Sequence, residues 1–252
     1  MTTALITGAS NGIGLEIARV LGPDHDLVLV ARNAARLAAL AEELGGARVI
    51  AADLAEPSGV AKIVAEVPAV DVLVNNAGVG DFGAFAEADP DKTLAMIQLN
   101  ITSLTALTRA YLPGMLERGS GRIMNVASTA SFQPGPLMAV YYATKAYVLS
   151  FTEAIAEETR GSGVTVTALC PGPTASGFQA AADMELSPLV ANKKLPTSAD
   201  VAVFGVKAMN AGDVVAIPGM LNKIMAGSVR LAPRPVMRRV VHKMQATKPA
   251  KD

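Results

Sequence analysis

Seven short, almost unbroken aliphatic runs punctuate the chain, at 3–7, 27–31, 48–51, 70–75, 122–126, 164–169 and 213–217. Between them lie longer stretches with helical spacing of apolar residues, at 12–21, 34–44, 58–66, 91–116, 141–160 and 198–210. A strand covered on both faces has no solvent side, so it reads as a continuous apolar run rather than an alternating one. Strict alternation of such strands with helices predicts an α/β chain with a doubly wound parallel sheet, ligands binding outside the carboxyl ends of its strands. No repeat or linker splits the chain before about residue 175, so residues 1–217 are expected to form one domain. From 175 to 196, "ASGFQAAADMELSPLVANKKLP", the alternation lapses. An insertion of that kind at the binding edge predicts a lid or substrate loop.

Composition narrows the function classes. Hydrophobic residues make up 51% of 252, enough for a large core, and 22 Lys/Arg balance 22 Asp/Glu, so no global field favours nucleic acid. One cysteine, Cys170, and two histidines, His25 and His242, offer neither a disulfide framework nor a zinc site, and no metal is expected. His25 lies between two aspartates and reads as part of a polar turn leading into strand two. Cys170, with no basic partner in sequence, reads as a small buried apolar residue. The first strand starts too early to leave room for a signal peptide. The uncharged run from Ile123 to Thr144 is broken by Asn, Ser, Gln, Gly and two prolines, which a bilayer core disfavours. A cytoplasmic protein is expected.

The stretch "LITGASNGIGLEIA", residues 5–18, carries glycines as G-x-x-x-G-x-G at 8, 12 and 14. It joins the end of strand one to the start of helix one. Glycines there let backbone approach a ligand, and the free N–H groups of a helix start face an anion, here the pyrophosphate of a dinucleotide. The same letters, "GASNG", spell a G-x-S-x-G nucleophile elbow around Ser10. That elbow needs an oxyanion-hole loop from an earlier strand and a late histidine base, and only seven residues precede Gly8. A hydrolase is therefore disfavoured. "GVGDFG", residues 78–83, spells G-x-G-x-x-G, but no long apolar helix follows to receive a phosphate.

The turn does not stand alone. Thr7 to Gly14, then Asp53 after strand three, Asn75-Asn-Ala-Gly78 after strand four, Asn100, "NVAS" ending in Ser128, Tyr141-Tyr-Ala-Thr-Lys145 and Pro171-Gly-Pro-Thr174 follow in order. Over about residues 3 to 217 the chain resembles the short-chain dehydrogenase/reductase family. The resemblance implies a Rossmann-like fold in a single domain and an NAD(H) or NADP(H) cofactor. It places the cofactor on Gly8, Ser10, Asn11, Gly12, Ile13 and Gly14, the adenine beside Asp53 and Leu54, and the adenosine ribose beside Asn76, Ala77 and Gly78. Pro171, Gly172 and Thr174 then flank the nicotinamide, and Tyr141 and Lys145 reach its ribose side.

Of the four tyrosines, 111, 141, 142 and 147, only Tyr141 has a lysine four residues on. That spacing puts phenol and ammonium on one helix face. A phenol with a pKa of about 10 is a poor proton donor and acceptor at neutral pH. A neighbouring ammonium, with a positive nicotinamide, is expected to lower it. Tyr142 is the adjacent rival and is expected to pack beside the site. Past strand five, Ser128, Thr129 and Ser131 all offer a hydroxyl to a substrate oxygen; the family spacing selects Ser128. By the same resemblance Asn100 completes the catalytic set with Ser128, Tyr141 and Lys145, holding a water that relays protons from Lys145.

Strand two ends in Ala31, followed by Arg32. An acid there would bond a ribose 2′-hydroxyl and repel a 2′-phosphate, whereas an arginine can hold that phosphate, so NADP(H) is expected. Arg36 is a second candidate, with a solvated surface position expected for it. The function expected is interconversion of a carbonyl and a secondary alcohol on a lipophilic small molecule. Phe132, Leu137, Met138, Phe178, Met184, Leu186 and Leu189 are the candidate pocket residues. Alternatives are a ketoacyl-carrier-protein reductase, weakened by Glu157 and Glu158 after the catalytic helix with only Arg160 beside them, and a non-catalytic dinucleotide-binding regulator, which would show a damaged Ser–Tyr–Lys set. An epimerase would carry G-x-x-G-x-x-G and a larger C-terminal domain. A homodimer or homotetramer is the expected assembly.

Residues 218–252 form a tail outside the strand–helix pattern. Met220, Leu221, Ile224, Met225 and Val229, then Val236, Met237, Val240, Val241 and Met244, recur at helical spacing. The second stripe faces away from Arg238, Arg239, His242 and Lys243. Such a basic amphipathic helix is expected to bury its apolar face on a subunit or the substrate cleft; peripheral contact with an anionic membrane is the alternative.

Overall fold

The computed structural model describes residues 1–178, 182, 195–229 and 233–246. Its centre is a seven-stranded parallel sheet in the order β3-β2-β1-β4-β5-β6-β7. The strands are β1 Thr2–Thr7, β2 His25–Ala31, β3 Arg48–Ala51, β4 Val72–Asn75, β5 Gly121–Val126, β6 Val164–Leu169 and β7 Val215–Ala216. Between them run α1 Gly12–Leu21, α2 Ala34–Glu43, α3 Pro57–Glu66, α4 Pro90–Ile97, α5 Leu104–Arg118, α6 Ala139–Glu158 and α7 Ser198–Ala211; the tail supplies α8 Met220–Ser228 and α9 Arg234–Gln245. The result is the single-domain, doubly wound α/β fold that the alternation predicts.

Side chains alternate across the sheet with a period of two, and each face has its own core. Ala4, Ile6, Leu27, Leu29, Val72, Val74, Met124 and Val126 pack beneath α1, α2 and α7. Leu5, Val28, Val30, Leu73, Ile123, Val164 and Val166 pack on the other side with Leu107, Tyr111 and Met115 of α5. Both faces are covered, which is why the strands read as unbroken apolar runs.

Three local features depart from the sequence expectation. His25 is the first residue of β2, paired with Thr2 and bonded through Nδ1 to the Thr2 hydroxyl at 2.7 Å, rather than part of a turn. The helix expected over 91–116 is interrupted, because Gln98–Ser103 adopts a π-helical turn between α4 and α5. Ser103 and Asn100, both buried, explain that register: the Ser103 hydroxyl donates to the Leu54 carbonyl at 2.5 Å, and the Asn100 amide bonds Val79 and Thr144. Within the tail, Met220, Leu221, Ile224 and Met225 of α8 face solvent instead of burying their stripe. Among the described residues no helix is long and apolar enough to cross a membrane.

A buried amide chain ties the central strands to the helices below. Asn75 Nδ2 donates to Thr108 Oγ1 and to Asn125 Oδ1, and Asn125 Nδ2 donates to Thr152 Oγ1. Helix α3 is seated more tightly still, since a Cβ on Gly59 would lie 2.0 Å from the Asp53 carbonyl oxygen. Gly59→Ala should therefore lift α3 from the Asp53–Leu54 segment, cost about 1–3 kcal/mol and lower the melting temperature by about 5 °C. Gly83→Ala, where no atom stands within 4 Å of the added Cβ, is the control and should melt with the wild type.

Candidate active site

The strand order reverses between β1 and β4, and the crevice at their carboxyl ends is where ligands bind in open α/β sheets. Here the Thr7 hydroxyl accepts from the N–H groups of Asn76 and Ala77, each at 3.0 Å, and donates to the Val74 carbonyl. Asn76 Nδ2 donates back to the Thr7 and Gly8 carbonyls at 2.9 and 3.2 Å. The two turns are thereby pressed together. A Cβ on Gly14 would lie 2.3 Å from Asn76 Nδ2, and one on Gly8, which has φ +68°, would lie 2.7 Å from it. Gly12 also needs positive φ, at +56°.

Three helices, α2, α4 and α7, are capped by side chains: Asn33 accepts from Arg36 N, Asp89 from Asp91 N and Lys92 N, and Thr197 from Asp200 N. Asn11, before α1, makes no such cap. The first N–H groups of α1 are thus left to a ligand, with only glycine and Ile13 shaping the approach. A glycine cradle and uncapped donors fit the pyrophosphate of a dinucleotide.

These groups open into a cavity of about 740 Å³. Its wall includes Gly8, Ser10, Asn11, Gly12 and Ile13 of the turn, Arg32, Asp53 and Leu54 at one end, and Asn76, Ala77 and Gly78 in the middle. Ser128, Tyr141, Lys145, Pro171, Gly172 and Thr174 form the other end. Two predicted site residues stand behind this wall. Gly14 makes room for Asn76, and Asn100 is fully engaged: its Oδ1 accepts from Val79 N, and its Nδ2 donates to Val79 O and Thr144 Oγ1.

At the open end Arg32 is exposed and pairs with Asp53 at 3.8 Å. Ala31 adds no carboxylate. Arg36 is exposed, as expected, and also lines the cavity.

At the closed end the four tyrosines separate cleanly. Tyr111 is in the core, donating to the Val67 carbonyl, and Tyr147 lies outside, stacked on Phe151. Tyr142 is buried, its hydroxyl accepting from Gln245 Nε2 at 2.7 Å. Of the four, only Tyr141 and Tyr142 line the cavity, and Ser128 lines it beside Tyr141. Ser128 follows β5 by two residues and caps the short 3₁₀ turn Thr129–Phe132, its oxygen accepting from Ala130 N and donating to the Pro171 carbonyl at 3.4 Å. Ser131 donates instead to the Lys145 carbonyl. Lys145 is buried, its Nζ donating to the Val126 carbonyl at 2.7 Å and lying 5.9 Å from the centre of the Tyr141 ring.

Burial, not the ammonium, dominates the proton affinities here. It pushes the Tyr141 phenol up to about 12, against the downward pull of Ser128, and pulls Lys145 down to about 8. The expected lowering of the phenol by Lys145 is therefore corrected: burial outweighs it and raises the phenol, while Lys145 keeps its proton at neutral pH less firmly than a solvated lysine. Cys170 is buried behind the site, burial pushing its thiol up to about 12, as suits a packing residue.

Of the candidate pocket residues, Met138 and Phe178 line the cavity, and the Phe178 ring lies 5.3 Å from that of Tyr141. Phe132 instead packs with Leu104 and Val148, and Leu137, at φ +67°, is not part of the wall. Met184, Leu186 and Leu189 lie outside the described residues. The tail stripes named in sequence complete the wall: Met225 and Val229 at the end of α8, and Met237, Val240, Val241 and Met244 of α9, line the cavity, the substrate-cleft alternative of the two packings expected. Their stripe was visible, and which of the surfaces offered it faced was not.

Comparison with known proteins places the chain in a family. Residues 2–186 match the family model described as short chain dehydrogenase. The ketoacyl reductase HetN of Nostoc sp. is 32% identical over 249 residues, covering 94% of this chain and 87% of that protein. Among solved structures, a short-chain dehydrogenase from Sphingobium yanoikuyae in complex with NADPH is 31% identical with a TM-score of 0.80, covering 93% of this chain and 97% of that one. The bulky-bulky ketone specific alcohol dehydrogenase from Comamonas testosteroni is 28% identical with a TM-score of 0.77, covering 93% and 96%. With the family model spanning most of the chain, the protein is a member of the short-chain dehydrogenase family of oxidoreductases.

Proposed function

We propose that the protein is an NADP(H)-dependent oxidoreductase interconverting a carbonyl and a secondary alcohol on a lipophilic small molecule. One observation carries the reading: a single cavity joins the uncapped start of α1 to the Ser128, Tyr141 and Lys145 side chains. When bound, the nicotinamide supplies or accepts the hydride. Tyr141, held protonated by burial, donates its hydroxyl proton to the substrate oxygen during reduction. Ser128 shares that oxygen and stabilises charge developing on it. Lys145, anchored by the Val126 carbonyl, reaches the cofactor ribose and favours the phenolate left after transfer. Asn100 acts as a positioning residue: its amide ties Val79 to Thr144, whose hydroxyl donates to the Tyr141 carbonyl. In this proposal residues 1–217 are the catalytic body and residues 218–252 an appended tail that closes its cavity.

A ketoacyl substrate is the second reading, favoured by the name of the Nostoc relative, which matches nearly the whole chain. A free lipophilic carbonyl is preferred because apolar Met138, Phe178, Met237 and Val241 surround the Tyr141 side of the cavity. A ketone and aldehyde screen following NADPH consumption, with Tyr141→Phe as control, separates the two. Aromatic and long-chain carbonyls should outperform short hydroxy-ketones and sugars; the reverse order would refute the lipophilic assignment.

Cofactor choice rests on Ala31, Arg32 and Arg36, and the NADPH complex of the Sphingobium relative supports it. Charge-assisted bonds to a 2′-phosphate should make kcat/KM at least about tenfold higher with NADPH than with NADH. Ala31→Asp with Arg32→Ala should reverse the preference. Equal efficiency of the wild type with both cofactors would exclude it.

The proton donor is tested by two neighbours. Tyr141→Phe should cost at least about a hundredfold in kcat while NADPH binding, read by fluorescence, persists. Tyr142→Phe should keep most turnover and instead lower stability by about 1 kcal/mol, since it breaks the bond to Gln245. Equal loss of kcat in both variants would overturn the assignment.

A further inference from the structure

The two tail helices build the outer rim of the cavity. Met225, Val240 and Met244 line it and yet remain 39–43% exposed, so they stand at its mouth. On α8, Met220, Leu221 and Ile224 project further, at 60–72% exposed. Large aliphatic side chains grouped on consecutive helices mark an interaction surface rather than ordinary scatter.

The arrangement on α9 is specific. Val236, Val240 and Met244 are four residues apart and form one row. Met237 and Val241, one position on, belong to the buried cluster with Tyr142, Met138 and Ala130, which fixes which way the helix faces. Arg239 and Lys243, three positions beyond Val236 and Val240, lie along the outer side of that row, exposed. An open apolar row thus runs between a packed seam and a line of cations.

Charge is divided in the same way. Residues 1–213 carry 14 Lys/Arg against 21 Asp/Glu, whereas residues 214–252 carry eight against one. Among the described residues of the tail, Lys223, Arg234, Arg238, Arg239 and Lys243 meet no acid at all.

We propose that α8 and α9 together form a docking face for an anionic lipid bilayer, seated so that the cavity mouth opens at the hydrocarbon boundary. The aliphatic row and the Met220–Ile224 face enter the headgroup layer while Arg239, Lys243 and their neighbours meet lipid phosphates. The acidic body is repelled by the same surface, which orients the molecule. A two-fold dimer through this face would set cation row against cation row, so a second copy fits it poorly. An acidic protein partner would match the charge but leave three protruding aliphatic side chains on α8 without a counterpart. The opening of the mouth toward lipid rests on the lipophilic substrate proposed above; the docking does not.

Co-sedimentation of the full chain with phosphatidylcholine vesicles, with and without phosphatidylglycerol, tests the docking without substrate or turnover. Binding to the anionic vesicles should be at least about tenfold stronger and should weaken with added salt. Arg239→Glu with Lys243→Glu, and separately Met220→Ser with Leu221→Ser and Ile224→Ser, should each reduce it about tenfold or more. Both variants should keep the wild-type melting temperature, because every altered side chain is exposed. Equal or absent binding to the two vesicle types overturns the proposal. So does a wild type that ignores vesicles while the charge-reversed variant loses a dimer or an acidic acyl carrier protein. Inactivity toward every carbonyl, with vesicle binding intact, would overturn the proposed reaction and leave the docking standing.

Discussion

The structure depends on the contact between two turns, one after β1 and one after β4. These are the strands where the sheet order reverses, so their carboxyl ends diverge and leave a crevice. Thr7 and Asn76 lock the two turns together through four hydrogen bonds crossing between them, and the glycines at 8 and 14 permit the approach. Without that closeness the start of α1 would not face the same space as the end of β4. Each further site element is referred to this floor. Gly78 follows directly from the Asn76 turn, and a Cβ there would stand 3.2 Å from Asn100 Oδ1 and 3.4 Å from Lys145 Nζ. The glycine motif and the catalytic helix are therefore one packing problem.

Burial gives the site its chemical character. A phenol pushed up to about 12 keeps its proton throughout the neutral range, and an amine drawn down to about 8 sits close to losing its own. Neither value suits an acid and base pair left in water. In the donor–relay arrangement proposed for them they are useful, because the proposed donor is loaded while its neighbour can exchange a proton near neutrality. The Val126 carbonyl, 2.7 Å from Nζ, holds the lysine where its charge bears on whatever form the phenol takes. A spacing argument supplies the partners in this relation but not its sign, since spacing says nothing about desolvation.

That division describes what was legible in the chain. The sheet, the glycine turn and the position of Tyr141 relative to Lys145 are local or periodic properties, and a single stretch of residues carries each of them. The break in the helix over 91–116 is different. Nothing in "QLNITS" forbids an α-helix; the π turn appears because Asn100 and Ser103 are held by Val79, Thr144 and Leu54, residues 21 to 49 positions away. Leu137 is similar. A bulky side chain at φ +67° has no sequence signature, and it persists because the segment between the Thr129–Phe132 turn and α6 is fixed at both ends. Likewise, the tail stripe announced an amphipathic helix without choosing between a subunit and the substrate cleft as the surface it covers.

The bond that names that surface joins residues 103 positions apart. Gln245, fully buried at the last turn of α9, donates to the hydroxyl of Tyr142, and the Tyr142 ring closes the space where a Cβ on Gly135 would stand. Tyr142 is next to Tyr141 in sequence and meets it edge to face at 6.1 Å. The tail is thus fastened to the residue beside Tyr141, the proposed proton donor, rather than to Tyr141 itself. Gln245 Oε1 has no hydrogen-bond partner among the described residues, so the clasp satisfies only one end of a buried amide. Half-satisfied polar contacts stabilise less than complete ones, because the unpaired atom offsets part of the gain. The wall therefore holds mainly through the packing of Met237 and Val241 against Tyr142, Met138 and Ala130, with the clasp fixing where α9 ends.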